Sequence, residues 1–457
     1  MRDKKRTIFT LLQKKFGKGE TLTMEKLFQL KKHNTNVRTE VIGGLTTFFA
    51  MAYIIFVNPN FLSQTGMDHT AVMLATCVSA AIGCFLTAFM ANVPFAQAPG
   101  MGLNAFFTYT ICFGMGYTWQ QGLAIVFISG LIFLAISVSP IRKQIIDSIP
   151  APLKAAISAG IGLFICLIGL LNAGIVTAGN NLLDLSSITS GPALLALIGL
   201  IITGILMAWK VKGALFIGIL VTTVIGIPMG VTNLSNVSIS FEGISIAPTF
   251  FKLSFVGLLS KGILPLLTAI VTFAMCDCFD TVGTLIGTAG SAGMLDENGN
   301  LPRGDKALIA DAVATCTGAL MGTSTVTTFV ESSTGISEGA RTGLSSVVVG
   351  ILFLLGCVLA PIAGIIPSAA TAPALIIVGM FMIGNVAKID WSDVEVALPC
   401  FLTIAMMPFA YSISDGIGFG FISYTLIKMA RGKFKEVPVL LYILSALFVV
   451  MYILAAL

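Results

Sequence analysis

Asp277, Asp280, Asp311, Glu331 and Glu338 stand inside apolar runs where a charged side chain has little to solvate it. An ionised acid at the centre of a bilayer costs on the order of 3 kcal/mol or more, so each needs a function or a partner. Asp277 and Asp280, three residues apart, share one helix face. Glu331 follows the β-branched run Thr323-Ser-Thr-Val-Thr-Thr328, and an earlier interruption supplies two uncharged amides, Gln97 and Asn104. The two histidines, His33 and His69, lie at segment ends, so a proton relay in the interior has to use carboxylates. Several carboxylates in one cavity cannot all remain ionised, and at least one must hold a proton near neutral pH. Such a set can accept N–H donors and can bind and release a proton. Asp277, Asp280 and Glu331 are the candidates for that coupling. Asp311 is expected to be structural, near the cytoplasmic end of its segment, and Glu338 to pair with Arg341 three residues on.

The same residues do not suit catalysis. No nucleophile stands with a base, so an enzyme is not expected. Cys276 and Cys278 flank Asp277, but without a second pair or a histidine nearby they do not suit a metal, and neither metal nor cofactor is expected. The nine cysteines lie inside apolar segments and read as small core residues, not disulfides.

The elements that must position these acids are membrane helices. Of the 457 residues 56% are hydrophobic and 10% charged, far from the composition of a soluble domain. Apolar stretches long enough to cross roughly 30 Å of hydrocarbon recur to the end of the chain, without the alternating segments of a β-barrel. Fourteen spans are expected, at 38–59, 69–91, 97–115, 119–139, 150–172, 192–208, 212–230, 260–289, 304–322, 327–341, 343–364, 367–385, 392–411 and 413–430. The fold class is therefore an all-α polytopic membrane protein.

Residues 1–38 hold 11 of the 26 Lys and Arg. With fourteen spans, Arg142, Lys143, Lys210, Lys212, Arg303, Lys306, Lys388 and the Lys428–Lys435 cluster fall on the same side, the cytoplasm by the positive-inside rule. These flanks imply contact with anionic lipid and not with nucleic acid. No cleaved signal peptide is seen before the first span. The apolar segment 438–457 is expected to lie at the interface.

An internal duplication organises the spans. Phe49-Ala-Met-Ala-Tyr53 in span 1 is echoed by Phe273-Ala-Met-Cys-Asp277 in span 8, and Val78–Gly83 in span 2 by Val313–Gly318 in span 9. Continuing down both copies puts Phe95-Ala-Gln97 opposite Phe329-Val-Glu331, and Ile149-Pro150 opposite Ile366-Pro367. Seven spans is an odd number, so the second half enters from the opposite face, giving a 7+7 inverted repeat. Spans 3 and 10 are expected to be broken: one holds Pro94 and Pro99-Gly-Met-Gly102, the other the β-branched run before Glu331, and neither suits an uninterrupted helix. Gly100-Met-Gly102 has no βαβ context and is not a dinucleotide loop. In an inverted repeat, the substrate site forms where such paired breaks meet.

Asn36-Val-Arg-Thr-Glu40, Gly44-Leu-Thr-Thr-Phe-Phe-Ala-Met-Ala-Tyr53, Ala98-Pro-Gly-Met-Gly-Leu-Asn-Ala105 and Thr328-Phe-Val-Glu-Ser-Ser-Thr-Gly335 resemble the AzgA-like purine permeases, a branch of the nucleobase cation symporters. The resemblance runs from about Met24 onward, while residues 1–23 depart from the usual start. It implies a mobile core of spans 1–4 and 8–11, here 38–145 and 255–365, sliding like an elevator against a gate of spans 5–7 and 12–14, here 146–232 and 366–457, with 1–37 as a cytoplasmic basic N-terminus. It further implies uptake of guanine, hypoxanthine or adenine with protons through the cell membrane, often by a homodimer, and binding residues at Asn104, Asp277, Asp280 and Glu331.

A carboxylate can accept N1–H and the 2-amino group of guanine together, and an amide can serve the O6 or N7 edge. By this reading Glu331, Asp277, Asn104 and Gln97 bind substrate, with Phe49 and Phe329, beside Phe95 and Phe273, able to stack on a flat base. An anion transporter of the same 7+7 fold and a sodium-coupled nucleobase symporter remain alternatives. Against the anion stands the lack of an arginine beside the broken spans, and against a channel the single duplicated chain.

Overall fold

The computed structural model describes residues 25–139, 148–177, 183–189, 191–234, 244–296 and 301–456. Residues 1–24 of the basic N-terminus, together with Arg142 and Lys143, lie outside them. The first span begins where the Asn36 side chain accepts the Thr39 N–H, at 3.1 Å. It runs as α1 (Val37–Met51), breaks at Ala52-Tyr53 and continues as α2 (Ile54–Leu62). Asp68 caps α3 (His69–Leu86), which ends in a wider turn, Thr87–Ala91. In the third span the chain is first extended as β1 (Gln97–Pro99) and then helical as α4 (Met101–Ala105), continued by the wide helix Phe106–Gly114. A Thr118–Gln121 capping box starts α5 (Trp119–Val138), and Pro150 leads into α6 (Ala151–Asn172). Next come a short antiparallel pair, β2 (Val176–Thr177) and β3 (Asp184–Leu185), then α7 (Gly191–Ala208) and α8 (Ala214–Gly226).

The second half repeats the plan. It has α9 (Ile263–Ser291), α10 (Gly304–Met321), a broken segment of β4 (Val326–Thr328) and α11 (Ser332–Ser337), then α12 (Gly343–Gly356), α13 (Ser368–Ile383), α14 (Val394–Phe409) and α15 (Ile413–Ala430). β1 and β4, from opposite halves, pair antiparallel with Gln97 opposite Thr328, Ala98 opposite Thr327 and Pro99 opposite Val326. Inside a membrane this pairing satisfies the backbone groups that the two broken spans cannot satisfy within a helix.

Two bundles result, each drawing on both halves. In one, α10 packs on α5 and α3, α12 on α1 and α3, and α9 on α5; in the other, α6 packs on α13 and α14, α14 on α15, and α7 and α8 on each other and on α13. Near one end the bundles touch through aromatic rings and a hydrogen bond. Tyr109, of the third span, meets Tyr411 edge-on at 5.5 Å and Phe164 at 6.3 Å, while Asn60 donates its amide to Thr371 Oγ1 at 3.0 Å.

The last segment differs from its expected interfacial placement. It forms α16 (Val439–Ala456), which returns antiparallel along α15. Ser445 meets Thr425 at 2.9 Å, Phe448 meets Phe421, and Tyr452 donates to the Asp415 carbonyl at 3.4 Å. These contacts run along α15 from Thr425 to Asp415, so α16 lies along a membrane helix and not across its end. Its other neighbour is α9, of the first bundle.

Candidate functional site

The site forms where the β1–β4 pair meets α9 and α10. Gly100 N–H donates to the Thr325 carbonyl and Phe329 N–H to the Ala96 carbonyl, both at 3.0 Å, so the strands stay locked up to the helices that follow. Gly100 has to be a glycine, since a Cβ there would come 2.6 Å from Thr327 Cγ2.

The acids fall into an open layer and a sealed one. Asp280 is exposed, and along its face of α9, Gly283 and Gly287 would each present an added Cβ to empty space. Glu331, at the start of α11, is half-buried and accepts a hydrogen bond from the Tyr53 hydroxyl at 2.6 Å. Asp277, one turn before Asp280, is only 1% exposed. Its Oδ2 accepts from Thr315 Oγ1 at 2.7 Å, and Oδ1 has no partner among the described residues. Asn104 is fully buried; its carbonyl accepts from the Ser324 hydroxyl and its Nδ2 is without a partner among the described residues. Both orphaned atoms are costly in an apolar interior, the pattern of a site whose remaining bonds come from a ligand, a proton or a rearrangement.

Two sequence-based placements are corrected here. Gln97 is not the counterpart of Glu331: Gly83 packs against Gln97 as its repeat partner Gly318 packs against Val326, so Gln97 corresponds to Val326 and Glu331 to Gly102. The Gln97 amide points behind the strands, where Nε2 donates to Asp311 Oδ1 at 3.1 Å. Asp311 also accepts from Thr281 at 2.9 Å and Thr328 at 2.8 Å. It sits two turns into α10, deeper than expected, as the hub that joins α9, α10 and both strands.

The aromatic candidates separate as well. Phe49 is 43% exposed on the outer face of α1, with its ring against Phe48 and its backbone beside Gly213, away from the acids. Phe329 is buried in the core, and Phe273 meets Phe106 edge-on at 4.7 Å beside α4. Glu338 pairs with Lys212 at 2.6 Å and not with Arg341, whose guanidinium donates to the Ile336 and Ala340 carbonyls at 2.7 Å. Sequence reasoning missed Tyr53, Thr315 and Ser324, the residues that orient Glu331, Asp277 and Asn104. For Tyr53 a signal was present, since the duplication aligns it with Asp277.

Residues 38–419 match the family described as Permease family. The chain is 45% identical to the guanine/hypoxanthine permease PbuG of Bacillus subtilis over 440 residues, covering 94% of this chain and 99% of that one. It is 41% identical to the adenine permease AdeP of Escherichia coli over 429 residues, covering 93% and 95% respectively. Among solved structures, the transmembrane domain of the cyanobacterial bicarbonate transporter BicA aligns with a TM-score of 0.65 at 17% identity, over 83% of this chain and 97% of that one, a likeness of fold. A duplicated helical bundle with two broken spans meeting at buried acids, matched along nearly its whole length by permeases, makes this chain a membrane transporter that belongs to the permease family.

Proposed function

We propose that the chain imports purine nucleobases, guanine and hypoxanthine first and adenine as a further candidate, by proton symport. The observation that carries this reading is the pairing of an open acidic layer, Asp280 and Glu331, with a sealed carboxylate, Asp277, one turn away. A neutral ring rich in N–H donors suits acceptors of this kind, whereas an anion would be repelled. The ion pairs Lys212–Glu338 and those around Glu395 lie away from these acids. Asp280 and Glu331 thus accept from the purine, and Asp277, shut off from solvent, holds the coupled proton. Asn104 completes the binding set.

Transport on this reading is a shift of the first bundle, the core, against the second, the gate, with divisions near residues 145, 255 and 365. The protein works in the cell membrane with its basic N-terminus in the cytoplasm and basic flanks on anionic lipid, and the family resemblance supports a homodimer. Uptake of radiolabelled hypoxanthine, guanine and adenine in cells lacking their own purine permeases tests this, with and without a protonophore and with and without sodium. Accumulation that collapses with the proton gradient is expected. Absence of purine uptake overturns the substrate, and uptake that depends on sodium alone overturns the coupling.

A further inference from the structure

Tyr53 lies at the break between α1 and α2, where no proline or glycine interrupts the sequence. Its ring is 1% exposed within the main apolar cluster, a place where phenylalanine would pack equally well. The hydroxyl is therefore what requires an explanation. It crosses from the first half of the duplication to the second and donates to Glu331 Oε1 at 2.6 Å, over a separation of 278 residues. Such a short bond between a phenol and a carboxylate is of the charge-assisted kind.

The duplication sharpens the point. Tyr53 and Asp277 end the same five-residue word, so one repeat position supplies a donor in the first half and an acceptor in the second. Gly100 N–H bonds the Thr325 carbonyl as Phe329 N–H bonds the Ala96 carbonyl, so the residues two further on are likewise one position, Gly102 in the first half and Glu331 in the second. Tyr53 and Glu331 are thus bonded across the axis. The mirrored pair, Asp277 and Gly102, has no side chain at the glycine, and Asp277 Oδ1 is left without a partner among the described residues.

We infer that Tyr53 is a positioning residue for substrate recognition: its hydroxyl occupies Oε1 of Glu331 and orients the carboxylate so that Oε2 is presented to an N–H of the base. The inference rests on the reading of Glu331 as a substrate acceptor. A glutamate has three side-chain torsions, and without a fixed partner it would have to be ordered when the ligand arrives. Tyr53 takes that ordering out of the binding step.

Tyr53→Phe removes one oxygen and keeps the volume. Hypoxanthine uptake by this variant should show a KM raised roughly tenfold, as loss of a bond to a charged group predicts. The maximal rate, the amount of protein in the membrane and the melting temperature in detergent should remain within about twofold or a few degrees of wild type. An unchanged KM overturns the inference, as does a fall in maximal rate at constant KM. Glu331→Gln, measured alongside, separates the two levels. Wild-type uptake by Glu331→Gln overturns the acceptor reading itself, whereas loss of uptake there with a wild-type KM in Tyr53→Phe overturns only the role of the tyrosine.

Discussion

Gly162 of α6 and Gly379 of α13 touch backbone to backbone, and each is the twelfth residue of its helix. A Cβ on Gly162 would lie 2.7 Å from the Gly379 carbonyl, and a Cβ on Gly379 would lie 2.5 Å from the Gly162 carbonyl. One position of the duplication thus packs against itself across the axis relating the halves, in the close small-residue approach that membrane helices favour. Gly162→Val should force the helices apart at a cost of about 1–3 kcal/mol. A melting temperature lower by several degrees checks this, and wild-type stability would remove the crossing as a determinant of the bundle.

Asp277 and Asp280 should separate coupling from binding. Asp277→Asn, in the sealed layer, is expected to retain equilibrium binding of hypoxanthine but to lose accumulation against a gradient. Asp280→Asn, on the open face, should weaken binding by about tenfold or more. Scintillation proximity binding beside uptake reads both. The opposite assignment of the two defects would exchange their roles.

Gln97→Glu would set a second carboxylate against Asp311, where the amide now donates at 3.1 Å. In that enclosed place like charges should lower the melting temperature and reduce the amount of folded protein. Asp311→Asn in the same chain reverses donor and acceptor and should restore much of the loss. Failure of the double variant to recover would mean that the contact does not join the strands to α10.

Glu40 is fully buried and accepts the Arg341 N–H at 2.8 Å and the Thr342 N–H at 3.4 Å, tying α1 to the turn between α11 and α12. Glu40→Ala would leave two backbone donors unsatisfied, at about 1–3 kcal/mol for each. Because that turn follows the helix started by Glu331, stability and substrate affinity should fall together. A normal melting temperature in Glu40→Ala would refute the tie.

The broken spans were legible because Pro99-Gly100 and the run Thr325–Thr328 resist a helix wherever they occur. Asp277 and Glu331 were legible because a buried acid is costly in any fold. The break at Ala52-Tyr53 was not, since nothing local requires it and only Glu331, far along the chain, gives it a use. Gln97 was misaligned because the matching words at Phe95 and Phe329 slid one copy past the other, whereas the bonds that join the strands, Gly100 N–H to Thr325 and Phe329 N–H to Ala96, make Gly100 the counterpart of Phe329. Glu338 was paired by local spacing with Arg341, but the fold brings Lys212 within reach. For α16, hydropathy alone does not distinguish a helix lying in the interface from one lying along its neighbour.

The antiparallel course of α16 bears on how the two ends of its hairpin can be reached. Its 18 residues give about 27 Å of helix, close to the thickness of the hydrocarbon layer. The turn around Lys433 and the residues near Ala456 are therefore expected in different compartments. An impermeant maleimide reacting with a cysteine at one of these places in intact cells should spare a cysteine at the other, and a fluorescent protein fused after the last helix would sit on the side away from Lys433.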